Sequence, residues 1–184
     1  MRIIAGIYRG RVLKSPPDAK TRPTSDRLRE TLFNILAPRI DAETRILDLC
    51  AGTGAIGIEA LSRGANHAAF VDKSRKMCAL IEENLDLLDF PEAQSEVFNI
   101  SAEDFLRRKA EEIWHIIFFD PPYASNYFDV LQYFNSEKML FLAEDGLLIV
   151  EHSTKAVMPD AIGELRRWRL LKQGDSSLSF YENN

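Results

Sequence analysis

The sequence lacks the features that mark secreted, membrane and metal-binding proteins. Its 184 residues include only two cysteines, Cys50 and Cys78, which are too few for a disulfide framework or a cysteine-rich zinc site. It has no run of about 18 apolar residues, the length that a membrane-spanning helix needs. The basic first residues also lack the apolar stretch of a signal peptide. We therefore expect a reduced, cytoplasmic protein with no metal ion and no membrane partner.

Internal repeats and low-complexity tracts are also missing, and the length suits one domain with a small appendage. The net charge of −5 is unevenly distributed. Residues 1–40 hold nine basic and three acidic residues and so carry +6, which leaves −11 for the remainder. Such asymmetry is typical of a protein that binds a polyanion at one end, but a solvated basic tail would have the same composition.

The first 40 residues predict a small arm. RIIAGIYRGRVL alternates loosely and contains two glycines, which favours a short hairpin. KSPPDAKTRPT is a proline-punctuated loop. Thr24 or Ser25 could cap a following helix, with Asp26 in its first turn and its end before Pro38.

From Thr44 onward, apolar strands alternate with amphipathic helices. The predicted strands read RILDLC, HAAFVD, SEVFNI, HIIFFD, GLLIVEHS and, at the end, SSLSFYE. The segment AIGELRRWRLLKQG is ambiguous, with residues 168–172 as a further candidate strand. Strands that are apolar along their whole length indicate a parallel sheet covered on both faces by helices. Because ligands bind such sheets outside the carboxyl ends of the strands, the residues that follow each strand are the candidates for function.

A glycine-rich loop, DLCAGTGAIGIEA, follows the first strand. Gly52, Gly54 and Gly57 have the G-x-G-x-x-G spacing of dinucleotide-binding loops. Asp48, just ahead of the loop, would repel a pyrophosphate but could pair with a cationic amino acid group. A glycine-rich turn without a ligand is the structural alternative.

The next two strands also end in polar residues. Asp72 lies 18 residues beyond Gly54, the spacing of an acid that accepts the hydroxyls of a ribose. It could also cap the following helix, a role open to Ser74 as well. After the third strand, Ser101 or Ala102 could contact an adenine edge, although a capping box between Ser101 and its neighbour three residues on would occupy that side chain.

The fourth strand ends in DPPY, residues 120–123. Asp120 is an acceptor, and the two prolines fix the backbone and remove its N–H donors. A carboxylate and a rigid carbonyl suit the two hydrogens of an NH2 group, and Tyr123 could stack on a flat base. The alternative is a rigid turn between strand and loop.

These motifs together resemble a known family. DLCAGTGAIGIEA, FVD and DPPY resemble the S-adenosylmethionine-dependent methyltransferases that modify exocyclic amino groups. The N-terminal RIIAGIYRGRVL and TRPTSDRLRETLFNIL, the run LDLCAGTGAIGIEALSRGA and the ending GDSSLSFYE resemble more specifically the bacterial 16S rRNA guanine-N2 methyltransferases, the small-subunit rRNA methyltransferase D family. The resemblance covers essentially the whole chain. It implies an α/β fold, a Rossmann-like seven-stranded sheet with its last strand antiparallel and an N-terminal hairpin and helix arm.

The resemblance also assigns residues to the site. The cofactor-binding positions are Asp48, Cys50, Ala51, Gly52, Thr53, Gly54, Asp72, Lys73, Ser101 and Ala102. Of these, Asp48, Gly52 and Gly54 would hold the methionine part of S-adenosylmethionine and Asp72 its ribose, whereas the Cys50 thiol has no chemical role. The catalytic positions are Asp120, Pro121, Pro122 and Tyr123, which would hold the guanine. Since the family allows Phe at the last of these, the ring matters and not the hydroxyl.

The implied function is methyl transfer from S-adenosylmethionine to the N2 amine of a guanine in 16S rRNA. Residues 1–40 would be an RNA-binding arm and residues 41–184 the methyltransferase domain. The predicted RNA-binding residues are Arg9, Arg11, Lys14, Arg22, Arg27 and Arg29. We expect a monomer that acts on a small-subunit ribosomal particle.

Three other functions use parts of the same pattern. An amino methyltransferase could act on DNA adenine N6, on another RNA base or on a protein glutamine. A dinucleotide oxidoreductase would use the glycine spacing but has no need of DPPY. A non-catalytic RNA-binding module could keep the fold and bind no cofactor.

Overall fold

The computed structural model describes residues 1–16, 26–108, 112–122, 127–135 and 141–183. Its α-helices are α1 (Asp26–Leu36), α2 (Ala55–Ser62), α3 (Arg75–Leu87), α4 (Ala102–Arg107) and α5 (Tyr127–Leu131). Its strands are β1 (Arg45–Leu49), β2 (His67–Asp72), β3 (Ser95–Asn99), β4 (Trp114–Phe119), β5 (Leu142–Ser153), β6 (Ala161–Ile162), β7 (Leu165–Gln173) and β8 (Ser176–Asn183). Short 3-10 turns occupy Ala37–Arg39, Glu92–Gln94 and Gln132–Phe134.

The strands form one sheet in the order β3-β2-β1-β4-β5-β8-β7-β6. Strands β1 to β5 pair in parallel, whereas β8 is antiparallel to β5, β7 to β8, and β6 to β7. The predicted Rossmann-like sheet with an antiparallel last strand is therefore confirmed. The predicted count of seven is wrong, because the two-residue β6 adds an eighth strand at one edge of the described sheet.

The central strands are buried on both faces because they are apolar at successive positions. Ile46, Phe70 and Phe118 belong to one core cluster, which contains residues of α1, α2 and α3. Leu47 and Phe119, one position further along their strands, belong to a second cluster with residues of α4 and α5. This arrangement explains why the predicted strands lacked the alternation of a half-exposed sheet. In the parts of the chain that the structure describes, no helix is both long enough and apolar enough to cross a membrane.

The N-terminal segment forms a hairpin-like loop that is packed onto the sheet's helices. Its two arms meet at a single bridge, between Arg2 and Val12, and its apolar residues Ile3 and Leu13 are buried in the core cluster of α1 to α3. The predicted capping residues of α1, Thr24 and Ser25, lie outside the described residues. The segment is thus fixed to the body, and the division at residue 40 stays a prediction.

The later elements differ in extent from their predictions, which include helices over AEDFLRRKAEE and, after DPPY, over YFDVLQYFNSEKML. Strand β7 covers Leu165–Gln173 and resolves the ambiguous segment as a strand with a bulge. Helix α4 ends at Arg107, before the end of the predicted helical pattern. The helical pattern after DPPY gives only α5 and one 3-10 turn within the described residues.

Candidate cofactor and substrate site

The parallel pairing brings the polar residues at the strand ends to one edge of the sheet. Leu49, the last residue of β1, pairs with Val71 of β2 and with Phe119 of β4. Asp72 and Asp120, which directly follow those partners, therefore lie on either side of the loop after β1. From β1 the chain adds β2 and β3 on one side and then β4 and β5 on the other. Open α/β sheets bind their ligands at this switch point between β1 and β4.

The glycine-rich loop is held in left-handed backbone conformations. Cys50, Gly52 and Gly54 have φ angles of 64°, 54° and 74°. A Cβ at Gly54 would come within 3.0 Å of Ile81, and one at Gly57 within 2.3 Å of the Phe70 ring. Glycine is therefore required at these two positions so that α2 can pack closely against α3 and β2.

Gly52 differs from them, because the nearest atom to a Cβ there would be 4.0 Å away. The loop therefore leaves open space at this position, where a ligand could approach the backbone. Ala51 and Thr53 flank it and are partly buried. Helix α2 starts directly afterwards with Gly54 as its N-cap, which has no side chain to accept from the first turn.

Asp48 is a buried acid under the loop. Its Oδ2 accepts a hydrogen bond of 3.2 Å from the backbone N–H of Gly57, and its side chain is 2% exposed. Burial raises the pKa of Asp48 to about 7, and the charge of Asp72 adds to the increase. A cation beside this carboxylate would stabilise its ionised form, whereas a phosphate would not. The site therefore fits the ammonium group of an amino acid better than it fits a dinucleotide.

Asp72 connects the loop to the start of α3. Its Oδ2 accepts from the N–H of Gly52 at 2.9 Å, and its Oδ1 accepts from the N–H of Ser74 at 2.8 Å. Ser74 and not Asp72 is the N-cap, since the Ser74 hydroxyl accepts from Met77. Each oxygen of the Asp72 carboxylate keeps a lone pair for a further donor such as a ribose hydroxyl. The neighbouring Lys73 is exposed.

Ser101 has the structural role that the sequence offered as an alternative. Its Oγ accepts from the N–H of Asp104 at 3.0 Å and donates to the Asp104 carboxylate at 2.7 Å. The Ser101 side chain is therefore committed to capping α4. The backbone N–H of Ala102, in the first turn of α4, is the group at this position that could contact an adenine.

Asp120 is partly buried at the end of β4. Its N–H donates to the carbonyl of Leu49 at 3.2 Å, which holds the start of the DPPY turn against β1. Pro121 is buried and Pro122 is exposed. Tyr123 lies outside the described residues, so its stacking role stays a prediction.

A second acid next to Asp120 was not predicted from the sequence. Phe119 pairs with Val150 of β5, so Glu151 follows beside Asp120, and it is 4% exposed. The pKa of Asp120 is raised well above its usual value. Burial is the largest cause, followed by the charge of Glu151 and then by that of Asp48. The signal in the sequence is that both acids directly follow buried apolar runs, IIFF and LLIV.

The Cys50 thiol is unsuited to chemistry. Burial raises its pKa to about 12, and the charges of Asp72 and Asp120 contribute. Because the thiolate is the nucleophilic form, the side chain stays inert at neutral pH. Among the residues whose positions are described, no three His, Cys, Asp or Glu side chains are grouped as a metal site.

Four of the predicted RNA-binding residues are exposed: Arg9, Arg11, Lys14 and Arg27. Arg11 donates to a backbone carbonyl at the end of α3, at 3.3 Å, and Lys14 forms an exposed ion pair of 2.9 Å with a glutamate of the same helix. Both contacts are weak enough to be exchanged for contacts with phosphates. Arg22 lies outside the described residues.

Arg29 corrects the predicted RNA-binding set. Its side chain is fully buried, and its Nη2 donates to the carbonyl of Arg2 at 2.7 Å and to Asp26 at 2.8 Å. Burial lowers the pKa of the Arg29 guanidinium, although Glu59 and Asp26 oppose the decrease. A guanidinium enclosed in this way cannot reach a phosphate, so its role is to join the N-terminal segment to α1.

Comparison with known proteins places this geometry in a family. A family model described as Conserved hypothetical protein 95 matches residues 1–182. The chain belongs to this family. Ribosomal RNA small subunit methyltransferase D of Escherichia coli is 39% identical over 160 residues, which are 86% of this chain and 78% of that protein. YlbH of Bacillus subtilis is 36% identical over 184 residues, 99% of this chain and 98% of that protein.

Solved structures agree with this membership. The structure of Escherichia coli yhhF matches with a TM-score of 0.88 and 32% identity, covering 100% of this chain and 98% of that one. SMU.776, complexed with SAH, has the same fold at 16% identity, with a TM-score of 0.68 over 83% of this chain and 48% of that one. The predicted membership in an S-adenosylmethionine-dependent methyltransferase family is confirmed. The assignment of individual site residues stays a proposal.

Proposed function

We propose that this protein transfers the methyl group of S-adenosylmethionine to the exocyclic N2 amine of a guanine in 16S rRNA. The observation that carries the proposal is the position of Asp120, partly buried at the end of β4 and joined through its N–H to Leu49 at the base of the glycine-rich loop. An acceptor for an amino group thus lies beside the loop that would hold the cofactor. The names of the small-subunit methyltransferase relatives support rRNA as the substrate.

The cofactor fits the residues along this edge. Asp48 would accept from its ammonium group, the backbone at Gly52 would lie along its methionine part, and Asp72 would accept from the ribose hydroxyls. Ala102 would offer its N–H to the adenine. When bound, the cofactor supplies an electrophilic methyl group on a positively charged sulfur. The acids Asp48, Asp72 and Asp120 would favour a ligand of that charge.

The DPPY segment would hold and activate the amine. The lone pair of a guanine N2 amine is delocalised into the ring, which makes it a poor nucleophile. Acceptors at the Asp120 carboxylate and the Pro121 carbonyl would bind its two hydrogens and favour a localised lone pair. Pro122 keeps the turn rigid, and Tyr123 would stack on the base. As the bond from nitrogen to the methyl group forms, the bond from the methyl group to sulfur would break and leave a neutral thioether, and the amine would lose one proton to Asp120 or to solvent. Catalysis would consist mainly of positioning and electrostatic stabilisation.

The reacting guanine must leave its stack to reach Asp120, so it would come from a loop or be flipped out. The exposed cations Arg9, Arg11, Lys14 and Arg27 would contact phosphates around it, as would Arg22. The N-terminal arm would thereby select the RNA, and the methyltransferase domain would select the amine. In this proposal the substrate is a small-subunit ribosomal particle and the enzyme acts as a monomer in the cytoplasm.

The decisive experiment is transfer of a radiolabelled methyl group to 16S rRNA and to small-subunit particles from cells that lack this protein. Nucleoside analysis of the product should give N2-methylguanosine. N6-methyladenosine, in RNA or in added DNA, would instead show an adenine methyltransferase. Calorimetric titration with S-adenosylmethionine and with NAD separates the remaining alternatives. An oxidoreductase would bind NAD, and a non-catalytic module would bind neither.

A further inference from the structure

Strand β7 carries a concentration of positive charge that the proposed function does not use. Its sequence, LRRWRLLKQ, contains four cations and no acid, although the chain beyond residue 40 has a net charge of −11. Two arginines precede the single tryptophan, one follows it, and the lysine comes after two leucines. Most of the strand is exposed, so a partner can approach it.

A β-bulge in this strand presents the tryptophan. Arg167 pairs with Tyr181 and Arg169 with Phe180, so Trp168 is the extra residue between them. Its ring lies 5.7 Å from the ring of Phe180, and the residue is 43% exposed. Bulges commonly redirect a side chain for function. Here the ring is supported from one side by the core and open on the other.

One cation of the strand, Arg169, lies beside this ring, and Lys172 lies further along the strand. The guanidinium carbon of Arg169 lies 5.9 Å from the centroid of the Trp168 ring. Within the described ranges, neither Arg169 nor Lys172 has a carboxylate within ion-pair distance. Arg167 of the same strand differs, because it is paired with Asp160. Arg169 and Lys172 therefore keep their charge available for an anion.

Strand β7 ends at the edge of the sheet that carries the candidate active site. Strand β7 runs in the same direction as β5, since both are antiparallel to the strand between them. Lys172, near the end of β7, thus lies at the sheet edge that also holds Asp120 and Glu151. Three strand spacings separate β7 from β4, which is about 14 Å. A few nucleotides of single-stranded RNA can span this distance.

Protection of an open sheet edge would explain only part of this pattern. Strand β6 pairs with just two residues of β7, Leu165 and Arg166, so the rest of that edge is open. Basic residues and a bulge do protect edges from pairing with other strands. A half-exposed tryptophan does not, because an apolar ring invites association. An aromatic ring flanked by cations is instead the arrangement that stacks on bases and contacts phosphates.

We infer that β7 is a second RNA-binding surface. Trp168 stacks on an unpaired base, and Arg169 beside it contacts the neighbouring phosphate. Lys172, on the other face of the strand and nearer to its end, contacts a phosphate closer to the target guanine. The inference rests on the proposed function in one respect, namely that the substrate is RNA. It adds a contact on the opposite side of the pocket from the glycine-rich loop.

The test measures the affinity of 16S rRNA, taken from cells that lack this protein, by filter binding at several salt concentrations. Trp168→Ala should raise the Kd about tenfold or more, whereas Trp168→Phe should keep most of the affinity because it keeps a ring. The double variant Arg169→Gln/Lys172→Gln should bind more weakly and reduce the slope of log K against log salt by about 1.4, since each single-strand phosphate contact contributes about 0.7. The matched control is Arg108→Gln, an exposed cation just after α4, a helix that packs on β2 and α5, and this variant should bind like the wild type.

Thermal denaturation and calorimetric titration with S-adenosylmethionine would accompany these measurements, so that an unfolded variant is recognised. If Trp168→Ala does not fold, the double variant still decides the question. The inference would be overturned if the double variant bound RNA with the wild-type affinity and salt slope. It would also be overturned if the β7 variants changed the self-association of the protein and left RNA binding intact. Failure of the proposed function has a separate signature, since the wild-type protein would then form no N2-methylguanosine in 16S rRNA.

Discussion

Asp120 and Glu151 occupy adjacent positions at the ends of two neighbouring parallel strands, directly after the paired residues Phe119 and Val150. A carboxylate disfavours the ionisation of a second carboxylate beside it. Together with burial, the charge of Glu151 raises the pKa of Asp120 well above that of an exposed aspartate. Asp120 must lose this proton before its carboxylate can accept a hydrogen from an amine, which makes the activity dependent on pH.

We expect the methyl-transfer rate at saturating substrates to rise with pH as Asp120 ionises. Glu151→Gln removes the neighbouring negative charge and so lowers the pKa of Asp120, which moves the rise to lower pH. Single-turnover rates across a pH series would measure the shift. Glu144→Gln, at the far end of the same strand and exposed, should leave the profile unchanged. A wild-type profile in Glu151→Gln would contradict the proposed coupling.

Asp48 should make cofactor binding depend on pH in a different way. Its pKa of about 7 predicts that the affinity for S-adenosylmethionine increases as the pH rises through 7. The affinity should fall again above about 8, where the cofactor ammonium loses its proton. Calorimetric titration at a series of pH values measures both limbs. Asp48→Asn should bind S-adenosylmethionine weakly, and its affinity should no longer increase as the pH rises through 7. If that increase were unchanged in the variant, Asp48 would not be the titrating group.

The same residue should affect stability without the cofactor. Because its pKa is higher in the folded than in the unfolded state, the folded protein loses stability as the pH rises between about 4 and about 7. Asp48→Asn removes this loss, so above pH 7 the variant should be more stable than the wild type, by on the order of 4 kcal/mol at most. Urea denaturation above and below this range measures the difference. Equal stability of the two proteins at every pH would contradict the raised pKa.

Much of the fold could be predicted because its signals are local. The central strands are continuous apolar runs, and the loops after them contain the glycines and acids of the site. Glu151 also follows an apolar run, but its position beside Asp120 could not be predicted, because that depends on which strand pairs with β4. Two-residue β6 is too short to give a pattern, and the bulge at Trp168 breaks the alternation that would have identified β7.

Arg29 shows a second limit of prediction from the sequence, which concerns the burial of a side chain. A basic residue in a predicted amphipathic helix is normally exposed, and the sequence therefore placed it with the RNA-binding residues. Its burial results from the N-terminal segment, which folds over α1 and offers the carbonyl of Arg2 to the guanidinium. That contact joins residues 27 positions apart and leaves no mark on local composition.

The two outer glycines of the G-x-G-x-x-G loop should fail for different reasons when substituted. Gly57→Ala places a methyl group within 2.3 Å of the Phe70 ring, so α2 must move and the protein should lose about 1–3 kcal/mol of stability. Gly52→Ala has no such clash and should lose about 1 kcal/mol through its positive φ, but its methyl group would occupy the space proposed for the cofactor. Thermal denaturation and cofactor titration separate the two effects. Undiminished cofactor affinity in Gly52→Ala would argue against that placement.

Glu59 should be the main attachment of the N-terminal segment. This fully buried residue accepts from the N–H groups of Ile4 and Ala5, at 2.8 and 2.9 Å, and from Arg63 at 2.8 Å. Glu59→Ala leaves these donors unpaired and should destabilise the protein by about 3–5 kcal/mol. Glu83→Ala is the control, because its ion pair is exposed and should contribute less than about 1 kcal/mol.

Hydrogen exchange of residues 1–13 provides the local readout for Glu59. In Glu59→Ala these amides should exchange faster than in the wild type, while the central strands remain protected. Uniform loss of protection would instead mean that Glu59 supports the whole fold and not the segment in particular.

The exposed cations of the arm should contribute to RNA affinity in proportion to the charge removed. Arg9→Gln and Arg27→Gln should each weaken binding to 16S rRNA. The salt dependence of binding should become less steep with each change, because fewer counterions are released when the protein makes fewer phosphate contacts. Thermal stability should hardly change, since both side chains are exposed. Arg29→Gln provides the contrast: it removes a buried group bonded to Arg2 and Asp26 and should lower the melting temperature. If Arg9→Gln and Arg27→Gln bind RNA with the wild-type affinity and salt slope, the basic arm is a structural element only, and selection of the RNA must depend on other surfaces.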